Sequence, residues 1–276
     1  MEFSVYYLQR PHSNSQISSA RCLRLSIAAR SPLEPSRLPC GPSFPKSIKP
    51  FQTTRLTTLK VLPAKEISLT ISEILPPLDN YLSFGADVIA ENQEYKDMLF
   101  DYFFTVFSTP RLSQQDLISG CRLMESILLN LPNKVDTHLY RVLDVVRAKL
   151  EDAEEYKKPA YKVFLLEVVI NAVYYNPIAT LQYLEHANFL NKFLAEWMEE
   201  ADYFLRVHDK TLSILALMKI VQLPPEHLPV GFQNEGALQY LMKALLKFFE
   251  SLPDAVKRIF RQRCRLTCRT GGSKRF

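Results

Sequence analysis

From about Ile67 onward, apolar residues recur at the three- and four-residue spacing of helices that bury one face. Ile71, Ile74, Leu75 and Leu78 set the pattern, with an interruption predicted at Pro76-Pro77 and a second break at 83–85. A helix over about 93–107 is predicted from Tyr95, Met98, Leu99, Tyr102, Phe103 and Val106, and Pro110 stops it. Ser113 with Asp116 resembles a capping box that starts a helix carrying Leu117, Cys121, Met124, Leu128 and Leu131, which ends at Pro132-Asn133. Asp136 is placed to cap a helix with Leu139, Val142, Leu143, Val146 and Leu150 on one face.

The segment 158–175 is apolar nearly all round, so it must be covered on several sides, as in the inner layer of a helical array. Asn176-Pro177 ends it, with Pro177 at the first position of a short helix. Leu190, Phe193, Leu194, Trp197, Met198, Ala201, Phe204 and Leu205 predict one further helix, and His208-Asp209 opens another with Leu212, Leu215, Ala216 and Ile220. After Pro224, Pro225 and Pro229, a helix over about 235–251 carries Leu238, Leu241, Met242, Leu245 and Phe249, and a shorter one follows Pro253. The pattern stops near Phe260. Eight or nine helices of roughly 14–20 residues, joined by short links and never alternating with strands, predict an all-α solenoid or bundle. A two-helix period of roughly 40 residues suits a HEAT-type array of antiparallel helical hairpins.

Composition agrees with packed helices, since seven glycines in 276 residues are few for β-turns or phosphate loops. Residues 1–66 differ from the rest: they hold eight of the 18 prolines, many serines and arginines, and no sustained periodicity. They are expected to form a disordered Pro/Ser/Arg-rich extension, either native or a product of an imperfect gene model. The first thirty are Arg- and Ser-rich and acid-poor like a mitochondrial presequence, but 17–30 offers only a weak amphipathic turn or two, so that role is not expected.

Charge divides the chain into the same three parts. Residues 1–66 carry ten basic and three acidic groups, and 257–276 carry eight basic groups and no acid. The body, 67–256, therefore holds 16 basic against 26 acidic groups, a net of −10. Such a surface favours basic partners and argues against nucleic acid as the ligand of the body; solvation of exposed helix faces is the plainer reading of the same charges. The basic tail 257–276 has the composition of a nucleic-acid or nuclear-localisation patch, or of a solvated tail or translated non-coding sequence.

No chemistry-bearing motif emerges. The sequence has no phosphate-cradling glycine loop, no GxSxG, no HExxH and no paired CxxC. His12, His138, His186, His208 and His227 are scattered. His208-Asp209 could be an acid–base pair, but adjacent residues at a helix start do not normally face each other, and Asp209 is explained by capping and the helix dipole. Cys264 and Cys268 stand one helical turn apart without a second ligand pair nearby, so no metal or cofactor is expected. With Cys22, Cys40 and Cys121 they form an odd set that fits a reducing compartment, and no run is apolar and long enough for a membrane span. Glu151–Glu155 with Lys157 and Lys158 reads as a charged loop, and Trp197 as a core residue. The expectation is a non-enzymatic, soluble, intracellular protein with no catalytic, cofactor-binding or metal-binding residues.

Three stretches carry a family resemblance: Tyr174-Tyr175-Asn176-Pro177, the run from Trp197 through Asp202 to Phe204-Leu205, and His208-Asp209-Lys210 leading into a Leu-rich helix. Phe248-Phe249-Glu250-Ser251-Leu252-Pro253 adds to them. The pattern over about 70–258 resembles the C-terminal HEAT repeats of the importin-β (karyopherin) superfamily, in particular the importin-seven/eight subfamily and its fungal counterparts. The resemblance implies a nuclear transport receptor shuttling between cytoplasm, nuclear envelope and nucleus. Such a receptor binds basic cargo such as ribosomal proteins and histones on an acidic concave surface, releases it when Ran-GTP binds, and has nucleoporins as further partners. Members are several-fold longer, with their principal Ran-binding repeats far upstream, so a truncated chain or gene-model fragment is expected. Tyr174, Asn176, Pro177, Trp197 and Asp209 look like packing and turn positions. The competing reading is a non-transport helical scaffold whose tail, 257–276, associates with nucleic acid.

Overall fold

The computed structural model describes residues 64–152, 159–232 and 235–270, with side chains described at 71–152, 160–232 and 236–261. No strand occurs among the described residues. The helices are α1 (Ala64–Glu91), α2 (Gln93–Ser108), α3 (Gln114–Asn130), α4 (Asp136–Glu151), α5 (Pro159–Tyr175), α6 (Pro177–His186), α7 (Leu190–Glu199), α8 (Val207–Val221) and α9 (Glu235–Thr270). Short 3-10 turns lie at Glu200–Asp202, Pro225–His227 and Val230–Phe232. Of the expected 1–66 extension only 64–66 is described, as the opening of α1; in the charged loop, 153–158 lies outside the described residues.

Two layers result. Helices α1, α3, α5, α8 and α9 pack in succession as one layer, while α2, α4 and α6 form a thinner row against it. Polar rungs tie each element to its counterpart one repeat on. Lys96 Nζ donates to the Lys134 carbonyl at 3.4 Å, Val135 N to the Tyr175 hydroxyl at 3.0 Å, and Asn176 Nδ2 to Asp136 Oδ1 at 3.2 Å. Arg147 Nε reaches the Tyr183 hydroxyl at 3.3 Å, and Lys210 Nζ reaches Ser251 Oγ at 2.9 Å. These pairs lie 36 to 41 residues apart, the period expected of a hairpin repeat. Together with the layer order, that spacing makes the fold an all-α HEAT-type array and not a closed bundle.

Local chemistry sets most boundaries. Ser113 caps α3 through Asp116 N (3.2 Å), and Asn92 and Asn176 cap α2 and α6 the same way. Asn188, with φ 54°, closes α6 in a Schellman motif: Phe189 N bonds the Leu184 carbonyl and Asn188 N the Glu185 carbonyl. Buried along α4 are Leu139, Val142, Leu143, Val146 and Leu150, the predicted face. On α5 no position from Leu165 to Val173 is exposed.

Several expectations are corrected. Pro76-Pro77 does not interrupt α1, whose non-helical backbone is confined to Gly85. Each proline removes a helix hydrogen bond, but both stand off the core side, Pro76 half-buried and Pro77 exposed, while Ile71, Leu75, Leu78 and Leu82 are buried. Pro253 likewise does not divide α9, which is anchored on either side of it by buried Phe248 and Ala255 and runs on to Thr270. Asp136 is the first residue of α4 and not its cap; its carboxylate serves Asn176 instead. Leu205 is not in a helix: α7 ends at Glu199, and beyond the 3-10 turn the chain leaves helical geometry, so Phe204 turns inward and Leu205 outward. Finally, Leu238, Met242 and Phe249 are exposed, not core.

Candidate interaction surface

The acidic charge of the body is concentrated at one end. Residues 67–108, which make up most of α1 and α2, hold seven acids and a single lysine, a net of −6 out of the −10 of the body. Beyond the kink at Gly85, Asp87, Val88 and Glu91 fall at the spacing of one helix face and are exposed, and Phe84, just before the kink, is exposed as well. Glu94, Asp97 and Asp101 continue the acidic stripe along α2 at the same periodicity. The single residue Asn92 links the two helices and so fixes these stripes beside each other. An acidic face with an exposed phenyl ring in it presents what a basic, partly apolar segment needs: a field and a contact area.

Farther along the row, side chains of α2, α4 and α6 engage one another. His138 Nε2 lies 3.2 Å from Asp97 Oδ1, and the His138 ring stacks on Phe100 with centroids 4.1 Å apart. Arg141 covers the Phe104 ring at 3.8 Å, and Arg147 pairs with Glu151 at 3.0 Å. Tyr183 donates a very short hydrogen bond to Asp144, and burial pushes its hydroxyl up to about 12. A groove between α7 and the start of α9, lined by Leu190, Asn191, Leu194, Phe232 and Tyr240 among others, has no charged residue in its walls and so offers a basic partner only apolar contact.

The candidate acid–base pair separates. His208 pairs with Glu125 of α3, whereas Asp209 turns back to cap α8, accepting from Arg206 N at 2.9 Å. Arg206 is the centre of this cluster. Its guanidinium reaches Glu167 Oε2 at 2.6 Å, Asp209 Oδ1 at 2.5 Å and Glu125 Oε1 at 3.6 Å, and lies over the Phe164 ring at 4.8 Å. Three buried carboxylates share one guanidinium and one imidazole. Burial alone would raise the Glu125 carboxyl, but Arg206 and His208 outweigh it and carry it down to about 2. Glu167 is pushed well above the usual carboxylate range, by burial first, against the pull of Arg206, and with the nearby Asp209 and Glu125 charges adding to the rise. Because the acids come from α3, α5 and α8, the cluster bolts three consecutive helices of one layer together.

Glu125, Glu167 and Arg206 were not singled out by periodicity. The signal was present nonetheless: Glu125 interrupts the run Leu123, Met124, Ile127, Leu128, and Glu167 stands inside a helix with no polar face to offer it. Trp197 is fully buried, donating its indole N–H to Ser213 Oγ at 3.2 Å, as a core residue should. Asn176 and Pro177 are the cap and first residue of α6. Cys121 is buried, and Cys264 and Cys268 fall where side chains lie outside the described residues, as do His12, Cys22 and Cys40. No group of three metal-ligating side chains occurs among the described residues, nor is any helix there long and apolar enough to cross a membrane.

Comparison with known proteins adds the remaining information. No family model and no solved structure matches the chain. Among curated proteins, a probable importin-7 homolog of Dictyostelium discoideum is 28% identical over 223 residues, covering 79% of this chain and 20% of that protein. An importin beta-like SAD2 homolog of Arabidopsis thaliana is 27% identical over 195 residues, covering 67% of this chain and 18% of the relative. Importin-8 of Homo sapiens is 24% identical over 160 residues, covering 55% and 15%. The chain thus spans about a fifth of the length of the first of these relatives, and less of the others. Along its body the chain is thus similar to proteins of the importin-β superfamily, importin-7 and importin-8 relatives among them.

Proposed function

We propose that the chain acts as a nuclear transport receptor-like solenoid whose acidic face, on α1 and α2, receives basic protein cargo. The observation that carries this is the concentration of seven acids against one lysine over 67–108, with Phe84 and Val88 exposed among them. Charge complementarity of this kind accelerates encounter and sets register, while a ring such as Phe84 supplies contact area. In keeping with the family, the cargo is of the histone or ribosomal-protein class, Ran and nucleoporins are the further partners, and the chain shuttles between cytoplasm and nucleus. The role is one of binding, and the buried acids with His208 serve it by joining helices.

The experiment is a charge-reversal map. Asp87→Lys with Glu91→Lys, and separately Asp101→Lys, are compared with Glu226→Lys, an exposed acid in the loop before α9. Binding of a labelled, lysine-rich histone tail is read by fluorescence anisotropy. The double variant should weaken binding at least tenfold and Glu226→Lys hardly at all. Equal weakening by both would reduce the effect to net charge and remove the surface from the account.

A further inference from the structure

Helix α9 exposes large apolar residues beside the face that it buries. Leu241, Ala244, Phe248 and Ala255 are buried and mark the face held by the preceding repeat. Beside that face, Leu238, Met242, Leu246 and Phe249 are 50%, 42%, 56% and 47% exposed, and Phe260 is 62% exposed at the same register two turns past Pro253. Spaced by four, four and three residues, the first four form one stripe along roughly 16 Å of helix. A monomer rarely leaves such a contiguous stripe to water.

The charges beside the stripe say what would cover it. Exposed Lys243, Lys247, Lys257, Arg258 and Arg261 stand against only Glu250 and Asp254 on the polar side of α9. From 257 to its end at Thr270 the helix carries six basic residues and no acid. This end is therefore basic and apolar on a body that is acidic, the reverse of the α1–α2 end. We propose that the outer face of α9 is a docking site for an acidic amphipathic helix of another protein. The apolar stripe of that helix would lie along Leu238, Met242, Leu246 and Phe249, and its flanking carboxylates would meet Lys243 and the run from Lys257 to Arg261. A nucleic acid would use the basic groups alone and leave the aliphatic stripe without a role. A second copy docking α9 against α9 would set like charges side by side.

The probe is a fluorescein-labelled peptide of about 18 residues with leucines at heptad spacing and glutamates on both flanks, used with the full chain. A second peptide replaces the glutamates by lysines, and a single-stranded RNA of matching negative charge is the third ligand. The glutamate peptide is expected to bind at least tenfold more tightly than the lysine peptide. Leu246→Asp and Phe249→Asp should each weaken it at least tenfold, with unchanged helical circular dichroism, because both side chains are already at the surface. Lys243→Glu with Arg261→Glu should invert the preference between the two peptides. Binding to RNA that Leu246→Asp leaves untouched, with no peptide bound, would overturn the proposal in favour of a nucleic-acid patch. Elution as a dimer that Leu246→Asp converts to monomer would overturn it in favour of self-association. Equal affinity for the two peptides would overturn it as well.

Discussion

Arg206 decides how the middle of the array is held. It stands about a third exposed yet faces Glu125, Glu167 and Asp209, all buried, so removing a partner leaves charge uncompensated in the interior. Glu125→Gln is expected to destabilise by about 2–3 kcal/mol, less than a fully enclosed pair because the guanidinium is partly solvated. Urea unfolding at neutral pH measures it. Because Glu125 is held at about 2, its contribution is complete above the ordinary unfolded value of about 4.3 and is lost as pH falls from there. Glu167 behaves oppositely. Its carboxyl is raised in the folded state, so its contribution is complete below the unfolded value of about 4.3 and declines as pH rises above it. Glu167→Gln should therefore be tolerated and should flatten the loss of stability as pH rises above about 4.3, read by urea unfolding across pH; an unchanged slope would show that the Glu167 carboxyl is not raised. Periodicity could announce that Glu167 was unusual in an apolar helix. It could not name Arg206 as the partner, 39 residues away, because that pairing depends on which helices stack.

At the scale of the elements, one close approach fixes how α2 meets α3. Gly120 lies where an added Cβ would stand 2.9 Å from Val106 Cγ1 and 3.0 Å from Phe107 Cε2, and both belong to stiff, buried side chains. Gly120→Ala gains about 1 kcal/mol in helix propensity but must overpack this contact at about 1–3 kcal/mol. A net loss of stability is expected, read by thermal unfolding; a gain would mean that the crossing can open. Helix positions were largely legible: the α4 face, the Ser113 cap and Pro177 at the start of α6 followed from spacing and capping chemistry alone. The failures came where tertiary contact outweighed local preference. Pro76-Pro77 and Pro253 read as breaks, yet buried residues on both sides carry α1 and α9 through them. The stripe of α9 read as core because its spacing is that of core, and only the packed structure shows one face of that apolar arc left uncovered.

Across the whole molecule, the sequence pattern alone left open whether the helices form an array or a bundle. Rungs 36 to 41 residues apart and the order of the α1, α3, α5, α8, α9 layer decide for the array. The distribution of charge was legible in outline as an acidic body between basic ends. Its gathering on α1 and α2 became meaningful only when the tight turn at Asn92 set the two stripes side by side. The measurement that tests the central claim most directly is the affinity of the full chain for a core histone dimer across a series of salt concentrations. Binding at low salt is expected to fall steeply and log-linearly as salt rises, and Asp87→Lys with Glu91→Lys is expected to abolish the slope. No binding at low salt, or binding indifferent to salt and to those substitutions, would contradict it.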